Sequence, residues 1–366
     1  MANPAVTEQR YSQHAATATE LIVSAAGERP HDYQSIEREL PKKVAARSRK
    51  RYFQKGTCCE HITHFFALSA ASYAGVIARI YLAELAKWNG VQLFPSLYAE
   101  VVGTAIMGFI IMHKKLLEKK HSAVYQAIAT GLCGSITTFS SWNSEATSVL
   151  LQADEYPPDN ARRIIGWITV LLLGGGMPVA SLYFGKHLAH LSPWCDVRLE
   201  DPDGEPSAPG GIRCSCNTVE NIVIAVLWVC STVLVTFLPF YFNQLGLMFS
   251  CVFSFAGAYT RWHLAPLNAV FIDFKLGTFL VNVLGSWILG ATLILREHFG
   301  SQLNQFGLAA LTGVTTGFCG CLTTVSTFAV ELSTLSLRGS YIYGLCSVVL
   351  AQLGLVLVRG VYQWTA

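Results

Sequence analysis

The sequence predicts an all-α polytopic membrane protein with about nine transmembrane helices. Two four-helix units in inverted orientation are joined by a single linker helix. Composition, a series of long apolar stretches and an internal repeat support this prediction. Of 366 residues, 52% are hydrophobic and 13% are charged, and the mean hydropathy is +0.40. A soluble domain carries about 25% charged residues, and one soluble core cannot bury this much apolar surface. Composition therefore excludes an ordinary soluble enzyme, a disordered scaffold and a nucleic-acid-binding protein.

Residues 1–56 are predicted to form a disordered, basic cytosolic tail. The segment has no apolar run long enough for a secretory signal. Seven Lys or Arg residues lie between Lys42 and Lys55, directly before the first apolar stretch. Because Lys and Arg accumulate on the cytosolic side of membrane spans, the N-terminus is expected inside.

Nine apolar stretches follow, each near the roughly 20 residues that a helix needs to cross a bilayer. We assign residues 57–190 to the first four-helix unit and 191–218 to a polar cytosolic loop. The linker helix is 219–244, and the second unit is 245–366. The predicted spans are 61–88, 96–115, 122–152, 161–190, 219–242, 247–264, 275–296, 303–336 and 340–363.

Charge asymmetry supports this orientation. With the N-terminus inside, Lys114, Lys115, Lys119 and Lys120 lie in one inner loop, and the outer loops hold fewer basic residues. An odd number of spans then places the C-terminus outside the cell.

The two halves of the chain repeat one another. Arg79 corresponds to Arg261, 182 residues later. GLCGSITTFSSWNSE (131–145) corresponds to GFCGCLTTVSTFAVE (317–331), with seven identities in fifteen positions. Since four spans are an even number, two units joined directly would lie parallel. The unpaired fifth span therefore inverts the second unit, and such inverted repeats place their sites near the midplane at broken helices.

The third span of each unit is predicted to break. GSITT (134–138) and GCLTT (320–324) stand in mid-span, where lipid favours leucine. Glycine weakens a helix, and Ser and Thr hydroxyls can satisfy backbone groups freed by a break. Alternatively, small residues only permit close helix packing, but the repeat favours the break. Carbonyls freed at two facing breaks are candidate ligands for a small cation.

These segments resemble the Fluc family of fluoride channels. The resemblance rests on the paired GxxTT[FV]S[ST][FW] segments, on GAYTRW (257–262) and on GTFLVNVLGSWILG (277–290), and covers about 61–190 and 245–363. Two units in one chain resemble the family's eukaryotic exporter form. The resemblance implies a passive fluoride channel that works as a monomer and needs no cofactor apart from a central structural sodium ion.

The resemblance also implies which residues line the pore. A small, tightly hydrated anion needs weak donors such as amide N–H, hydroxyl groups and phenyl edges, since a buried Lys or Arg is costly in lipid. Without the resemblance, a membrane Asn indicates a helix–helix hydrogen bond and a Phe indicates core or lipid contact. The predicted fluoride pore residues are Asn282, Phe139, Phe328, Tyr343, Ser347, Thr324 and Ser326.

The repeat assigns different residues to a second pathway. Glu100 occupies the Asn position of the first unit, Val325 one Phe position and Trp142 the other. A charged Glu100 would repel anions, valine has no ring edge and tryptophan is bulky. We therefore predict one working pore and one vestigial pore. Trp167 and Leu171 are the first-unit counterparts of Tyr343 and Ser347.

The family's sodium site maps to backbone carbonyls, and the resemblance alone supports this assignment. Arg79 and Arg261 lie near predicted span ends, so we expect structural roles in which they snorkel or form ion pairs. The predicted sodium ligands are the carbonyls of Gly134, Thr137, Gly320 and Thr323.

Three other functions compete with passive export at the plasma membrane. A fluoride/proton antiporter needs a titrating carboxylate at the midplane, and Glu100 is the candidate. An enzyme would need a nucleophile–base pair or a metal cluster, and the sequence has neither a GxSxG nor an HExxH motif. A membrane scaffold or receptor would not need small residues in mid-span. The predicted partners are therefore fluoride, sodium and the lipid bilayer.

Overall fold

The computed structural model describes residues 58–86, 94–151, 159–192 and 218–365, and every regular element within them is helical. The predicted tail and most of the predicted 191–218 loop lie outside the described residues. The first unit contains α1 (Cys58–Leu85), α2 (Leu97–Met112), α3 (Lys114–Lys120), α4 (Ser122–Gln126), a π-helical turn (Ala127–Cys133), α5 (Gly134–Ile136), α6 (Phe139–Leu151) and α7 (Asn160–His190).

The linker helix and the second unit follow the same plan. The linker is α8 (Thr218–Tyr241). The second unit contains α9 (Leu245–Leu264), a 3-10 turn (Ala265–Ala269), α10 (Leu276–Phe299), α11 (Gln305–Thr312), a π-helical turn (Gly313–Cys319), α12 (Gly320–Leu322), α13 (Val325–Thr334) and α14 (Leu337–Thr365).

The chain is a multi-pass membrane protein. Six helical segments of the described chain are long and apolar enough to cross a bilayer, and α2 with α3, bent by 72°, makes a seventh. The predicted total of nine is not confirmed. Residues 122–151 and 245–264 are helical at the predicted positions but fall outside this count.

Polar side chains cap the first turns of α7 and α11. Asp159 accepts the N–H of Ala161 at the start of α7, over 3.0 Å. Asn304 accepts the N–H of Gly307 at the start of α11, over 2.8 Å. Such side chains satisfy the N–H groups that the first turn of a helix leaves without partners.

The first helices of the two units run antiparallel. The rings of His61, near the start of α1, and Trp262, near the end of α9, lie 5.7 Å apart. Further along α1, the hydroxyls of Ser72 and Ser254 lie 2.9 Å apart. These serines are equivalent in the repeat, 182 residues apart, so the pseudo-two-fold axis passes between them.

The linker helix accounts for the inversion. Thr63 on α1 contacts Asn221 on α8 over 3.0 Å, and Tyr73 contacts Thr232 over 3.4 Å, so α8 runs parallel to α1. The chain then reverses through Asn243, whose φ of 57° lies in the left-handed region that asparagine tolerates. The predicted inverted arrangement is confirmed.

Glycine allows α2 and α7 to pack closely. A Cβ on Gly185 of α7 would meet the carbonyl oxygen of Ala105 on α2, and one on Gly108 would meet the carbonyl oxygen of Leu182. Two helices that touch along their backbones in this way gain van der Waals contact where lipid supplies no hydrophobic driving force.

Gly185→Ala is therefore expected to destabilise the protein by about 1–3 kcal/mol, because backbone cannot yield to the added methyl group. Gly176→Ala on the same helix is the matched control, since its Cβ meets nothing within 4 Å, and alanine there adds helix propensity. Thermal unfolding in detergent measures the difference. Equal melting temperatures for the two variants would contradict this packing.

Candidate ion pathway

Both third spans break where the sequence predicts. Thr137 follows α5 with φ −88° and ψ 143°, and Thr323 follows α12 with φ −87° and ψ 153°. A π-helical turn precedes each break at equivalent positions of the repeat. The π-helical turns were not predicted.

A buried side chain holds each break open. The N–H of Thr138 donates to Oε1 of Glu100 over 2.9 Å, and the N–H of Thr324 donates to Oδ1 of Asn282 over 2.9 Å. In a continuous helix each N–H would bond to the carbonyl four residues earlier. Glu100 and Asn282 are both fully buried. They therefore free the carbonyl of the glycine that opens each motif.

Two arginines donate hydrogen bonds to these freed carbonyls, and each arginine belongs to the opposite unit. Arg261 Nη1 donates to Gly134 O over 2.7 Å, and Arg79 Nη1 donates to Gly320 O over 2.6 Å. Both side chains are only 5% exposed, so the expectation that they snorkel to the membrane surface is wrong. Neither forms a salt bridge with a described carboxylate. Charge-assisted bonds to neutral carbonyls hold the two buried cations instead.

The motif glycines also make room for the arginines. A Cβ on Gly134 would lie 2.6 Å from the guanidinium carbon of Arg261, and a Cβ on Gly320 equally close to that of Arg79. From the sequence, these glycines indicated a helix break or, alternatively, close helix packing. The structure adds a steric reason, because the guanidinium occupies the space of a side chain.

Hydroxyl groups exchange hydrogen bonds between the breaks. Thr137 Oγ1 accepts the N–H of Ser326 over 3.1 Å, and Thr323 Oγ1 accepts the N–H of Ser140 over 3.1 Å. Thr137 Oγ1 also lies 3.2 Å from the hydroxyl of Thr324. Each unit thus satisfies the first turn of the other unit's α6 or α13.

Three of the four carbonyls predicted to bind sodium, those of Gly134, Gly320 and Thr323, accept hydrogen bonds from arginine. Arg261 Nη1 donates to Gly134 O and to Thr323 O, over 2.7 and 3.3 Å. A carbonyl oxygen has two lone pairs, so this donor set fits a monovalent cation. The two guanidinium charges nearby weaken its affinity for that cation.

Two phenyl rings from opposite units meet beside the breaks. The centroids of Phe139 and Phe328 lie 5.3 Å apart with the planes at 70°, an edge-on arrangement. Tyr343 follows, 5.2 Å from Phe328. All three belong to one buried cluster. The structure therefore brings together three of the predicted pore residues.

Comparison with known proteins gives the family. Residues 66–177 and 248–361 match the sequence profile described as CrcB-like protein, Camphor Resistance (CrcB). The chain belongs to the CrcB-like family. The two matched segments fall within the two inverted units, so one chain contains the CrcB-like unit twice.

Relatives of this chain match it over most of its length or over about one unit. Fluoride export protein 1 of Candida albicans is 30% identical, over 80% of this chain and 77% of its own length. Fluoride export protein 1 of Schizosaccharomyces pombe is 28% identical, over 80% and 94% respectively. The fluoride-specific ion channel FluC of Erwinia tasmaniensis is 38% identical over 30% of this chain and 85% of its own. No solved structure matches the chain.

In the second CrcB-like unit, Tyr343 belongs to a hydrogen-bond network at one end of the pathway. Its hydroxyl donates to Glu331 Oε2 over 2.6 Å, and Thr278 and Asn268 donate to Oε1 over 2.7 and 2.9 Å. The Ser347 hydroxyl donates to the Tyr343 carbonyl over 2.7 Å. We predicted no chemical role for Glu331 from the sequence, although the equivalent residue of the first unit, Glu145, is also a glutamate.

A cavity of about 590 Å³ opens beside this network. Its lining includes Phe274, whose ring lies 5.4 Å from that of Tyr343. Asp273 and Arg338 supply its charged groups, and Phe271 and Ile342 supply apolar surface. The cavity therefore lies at the Tyr343 end of the aromatic cluster.

Both ends of the Asn282 side-chain amide form hydrogen bonds with the backbone of Thr324. Besides accepting from Thr324, its Nδ2 donates to the Thr324 carbonyl over 3.2 Å. The hydroxyls of Thr324 and Ser326 lie 3.2 Å apart. In this conformation these three predicted pore residues stabilise the break.

Trp142 and Val325, two of the residues predicted for the vestigial pore, belong to the same aromatic cluster as Phe139 and Phe328. Trp142 packs toward α7, where its indole N–H donates to Val170 O over 2.9 Å and occupies the space beside Gly174. Val325 is buried in the same cluster. Oε2 of Glu100 has no hydrogen-bond partner within the part of the CrcB-like chain that the structure describes.

The sequence analysis missed polar residues between α6 and α14. Asn143 and Thr147 on α6 face Gln352 on α14, and Arg359 lies two turns further along α14. Gln and Arg within a predicted span were the available signal.

Proposed function

We propose that the chain is a passive, fluoride-selective ion channel with one working pathway, and that it is not an enzyme. The observation that supports this most strongly is the edge-on contact of Phe139 with Phe328 beside the two helix breaks. The names of the fungal and bacterial relatives point to the same ion.

The proposed mechanism uses weak donors in sequence. Fluoride would leave the cavity beside Tyr343, replace Glu331 as the acceptor of the Tyr343 hydroxyl, and then pass the positive edges of Phe328 and Phe139. A ring edge binds an anion without the strength of an ammonium group, so the ion can enter and leave. Since the hydroxyl and the two ring edges are neutral, this part of the pathway avoids the desolvation cost of a buried charged donor.

Asymmetry between the units supports a single working pathway. Asn282 provides a neutral amide where the other unit has Glu100, and Phe328 provides a ring edge where the other unit has Trp142. The indole is tied to the backbone of α7 and fills the available space. The proposed vestigial pathway is therefore blocked by Trp142, with Val325 lacking a ring edge.

We further propose that the protein exports fluoride at the plasma membrane as a monomer, since one chain contains both units. The N-terminus would be cytosolic and the C-terminus extracellular. Hydrogen fluoride enters a cell as a neutral acid and ionises in the near-neutral cytosol. An inside-negative potential then favours outward movement of the anion.

A sodium ion at the breaks remains part of this proposal. The carbonyls of Gly134, Thr137, Gly320 and Thr323 would hold it, and it would cross-link the units without joining the transport path. Replacing sodium by potassium during purification should then lower the apparent melting temperature. An unchanged melting temperature would remove sodium from the proposal.

The second candidate is a fluoride/proton antiporter. The buried, unpartnered Oε2 of Glu100 favours it, because a carboxyl near the midplane can exchange a proton. Glu100 Oε1 accepts the N–H of Thr138 at the break of the unit that carries Trp142, the proposed vestigial side, and this argues against coupling.

Fluoride-electrode efflux from liposomes tests the channel proposal. The wild type should release fluoride rapidly, and Phe328→Ile should reduce the flux by about 100-fold because the pathway loses a preorganised ring edge. Trp142→Ile is the matched control, since it also removes a buried aromatic ring but from the proposed vestigial side. It should retain the flux.

Size-exclusion profiles of both variants control for misfolding. If Trp142→Ile alone abolished the flux, the assignment of working and vestigial sides would be reversed. A wild type that releases no fluoride would refute the proposed function.

A further inference from the structure

A continuous polar interface extends from the aromatic pair between α6 and α14. Asn143 lies one turn beyond Phe139 and donates to its carbonyl over 2.9 Å. Gln352 Nε2 donates to Oδ1 of Asn143 over 2.9 Å, and Gln352 Oε1 accepts from Thr147 over 3.0 Å. Trp167 donates its indole N–H to the same Gln352 oxygen over 3.0 Å. Buried amides and hydroxyls therefore continue where the ring edges end.

Arg359 lies at the far end of this interface. Its Nη1 donates to Ser148 Oγ over 2.8 Å and reaches Ser144 at 3.5 Å. The residue is 7% exposed, and in the described ranges it forms no salt bridge. The nearby acid that acts electrostatically on Arg359 is Glu297, an exposed residue of α10. The hydrogen bonds of the Arg359 guanidinium therefore go to neutral oxygens.

The pseudo-two-fold axis provides an internal comparison. The repeat pairs Asn143 with Ala329 and Ser144 with Val330. Ala329 and Val330 lie in a buried apolar cluster with Leu182 of α7. Packing of the equivalent helices is therefore possible without polar residues, so the fold itself does not require the polar α6–α14 interface.

Polar and charged groups within a span are costly and mark ion pathways. Tyr343 and Arg359 are separated by 16 residues of α14, or about 24 Å at 1.5 Å per residue. This length covers most of the roughly 30 Å apolar thickness of a bilayer. The two residues therefore lie near opposite ends of the membrane-spanning part of α14.

We propose that the α6–α14 interface is the second half of the anion pathway, and that Arg359 is an anion-attracting site at its far end. The ligand is a small monovalent anion, and identifying it as fluoride rests on the proposed function. Hydrogen bonds from the guanidinium to Ser148 and Ser144 spread its charge, which keeps the anion weakly held. An unpaired cation at the end of an ion pathway raises the local anion concentration there.

The test measures fluoride current against fluoride concentration for Arg359→Gln, Arg359→Lys and the wild type. Arg359→Gln should raise the half-saturating concentration about tenfold, as expected for loss of electrostatic focusing, and Arg359→Lys should give a smaller rise. Arg296→Gln is the matched control, because it removes the same charge from an exposed position on α10 near that end. It should follow the wild-type curve.

An identical curve for Arg359→Gln and the wild type would overturn the proposal. If Arg359→Gln does not fold, Gln352→Glu keeps the test open, because it preserves size and adds a negative charge to the interface. Unchanged current in Gln352→Glu would likewise overturn it.

A second readout separates this inference from the proposed function. At constant ionic strength, replacing gluconate by fluoride should raise the melting temperature of the wild type but not of Arg359→Gln. If the wild type carries no fluoride current yet shows this Arg359-dependent shift, the anion site stands and the channel function fails. If neither signal occurs in the wild type, both fail.

Discussion

Asn282→Asp is expected to abolish fluoride flux while leaving the protein folded. The new carboxylate can still accept the Thr324 N–H, as Glu100 accepts the equivalent N–H in the other unit. It cannot donate to the Thr324 carbonyl, and its negative charge would repel the permeating anion. We expect a loss of about 100-fold or more, the scale of removing a preorganised donor and reversing the local field.

Glu100→Gln is the matched control, because it makes the reciprocal change at the position related by the pseudo-two-fold axis. It should leave fluoride current intact and reversing at the fluoride equilibrium potential. If Glu100→Gln instead removed a proton-dependent component of transport, the antiporter would replace the channel. Normal flux in Asn282→Asp would exclude Asn282 from the working pathway.

Arg261→Gln is expected to destabilise the protein by about 3 kcal/mol or more, since it leaves several buried carbonyl oxygens without a donor. The carbonyls of Gly134, Thr130 and Thr323 would all lose a donor. Arg79→Gln should have a similar cost because Arg79 contacts the equivalent glycine of the other break. Thermal unfolding in detergent measures both.

The exposed Arg296 provides the comparison for this prediction as well. Arg296→Gln should change the free energy of unfolding by less than about 0.5 kcal/mol, as most surface substitutions do. If Arg261→Gln unfolded at the same temperature as Arg296→Gln, the two arginines would not hold the breaks together.

Much of the fold could be predicted because it is encoded in local pattern and repetition. Apolar length predicts helices, and the paired GSITT and GCLTT segments predict the position of both breaks. The odd linker helix predicts the inversion. The predicted number of spans is not confirmed, because length and composition do not identify the broken segment 122–151 or α9 as a span.

Long-range contacts could not be predicted in the same way. Arg79 and Arg261 resembled snorkelling residues because their own helices give no indication of the carbonyls opposite. Only the antiparallel crossing of α1 and α9 brings each guanidinium to the break of the other unit. The aromatic pair was foreseen through family resemblance, whereas its edge-on geometry depends on how α6 and α13 meet.

The sequence by itself determined the membrane class, the two units, their inversion and the two breaks, since each follows from periodicity, composition or repeated motifs along the chain. Tertiary structure alone decided which groups satisfy the breaks and which helix faces meet between α6 and α14. Hydrogen bonds and ring contacts between residues more than a hundred positions apart depend on helix rotation and crossing. No local pattern specifies those two quantities.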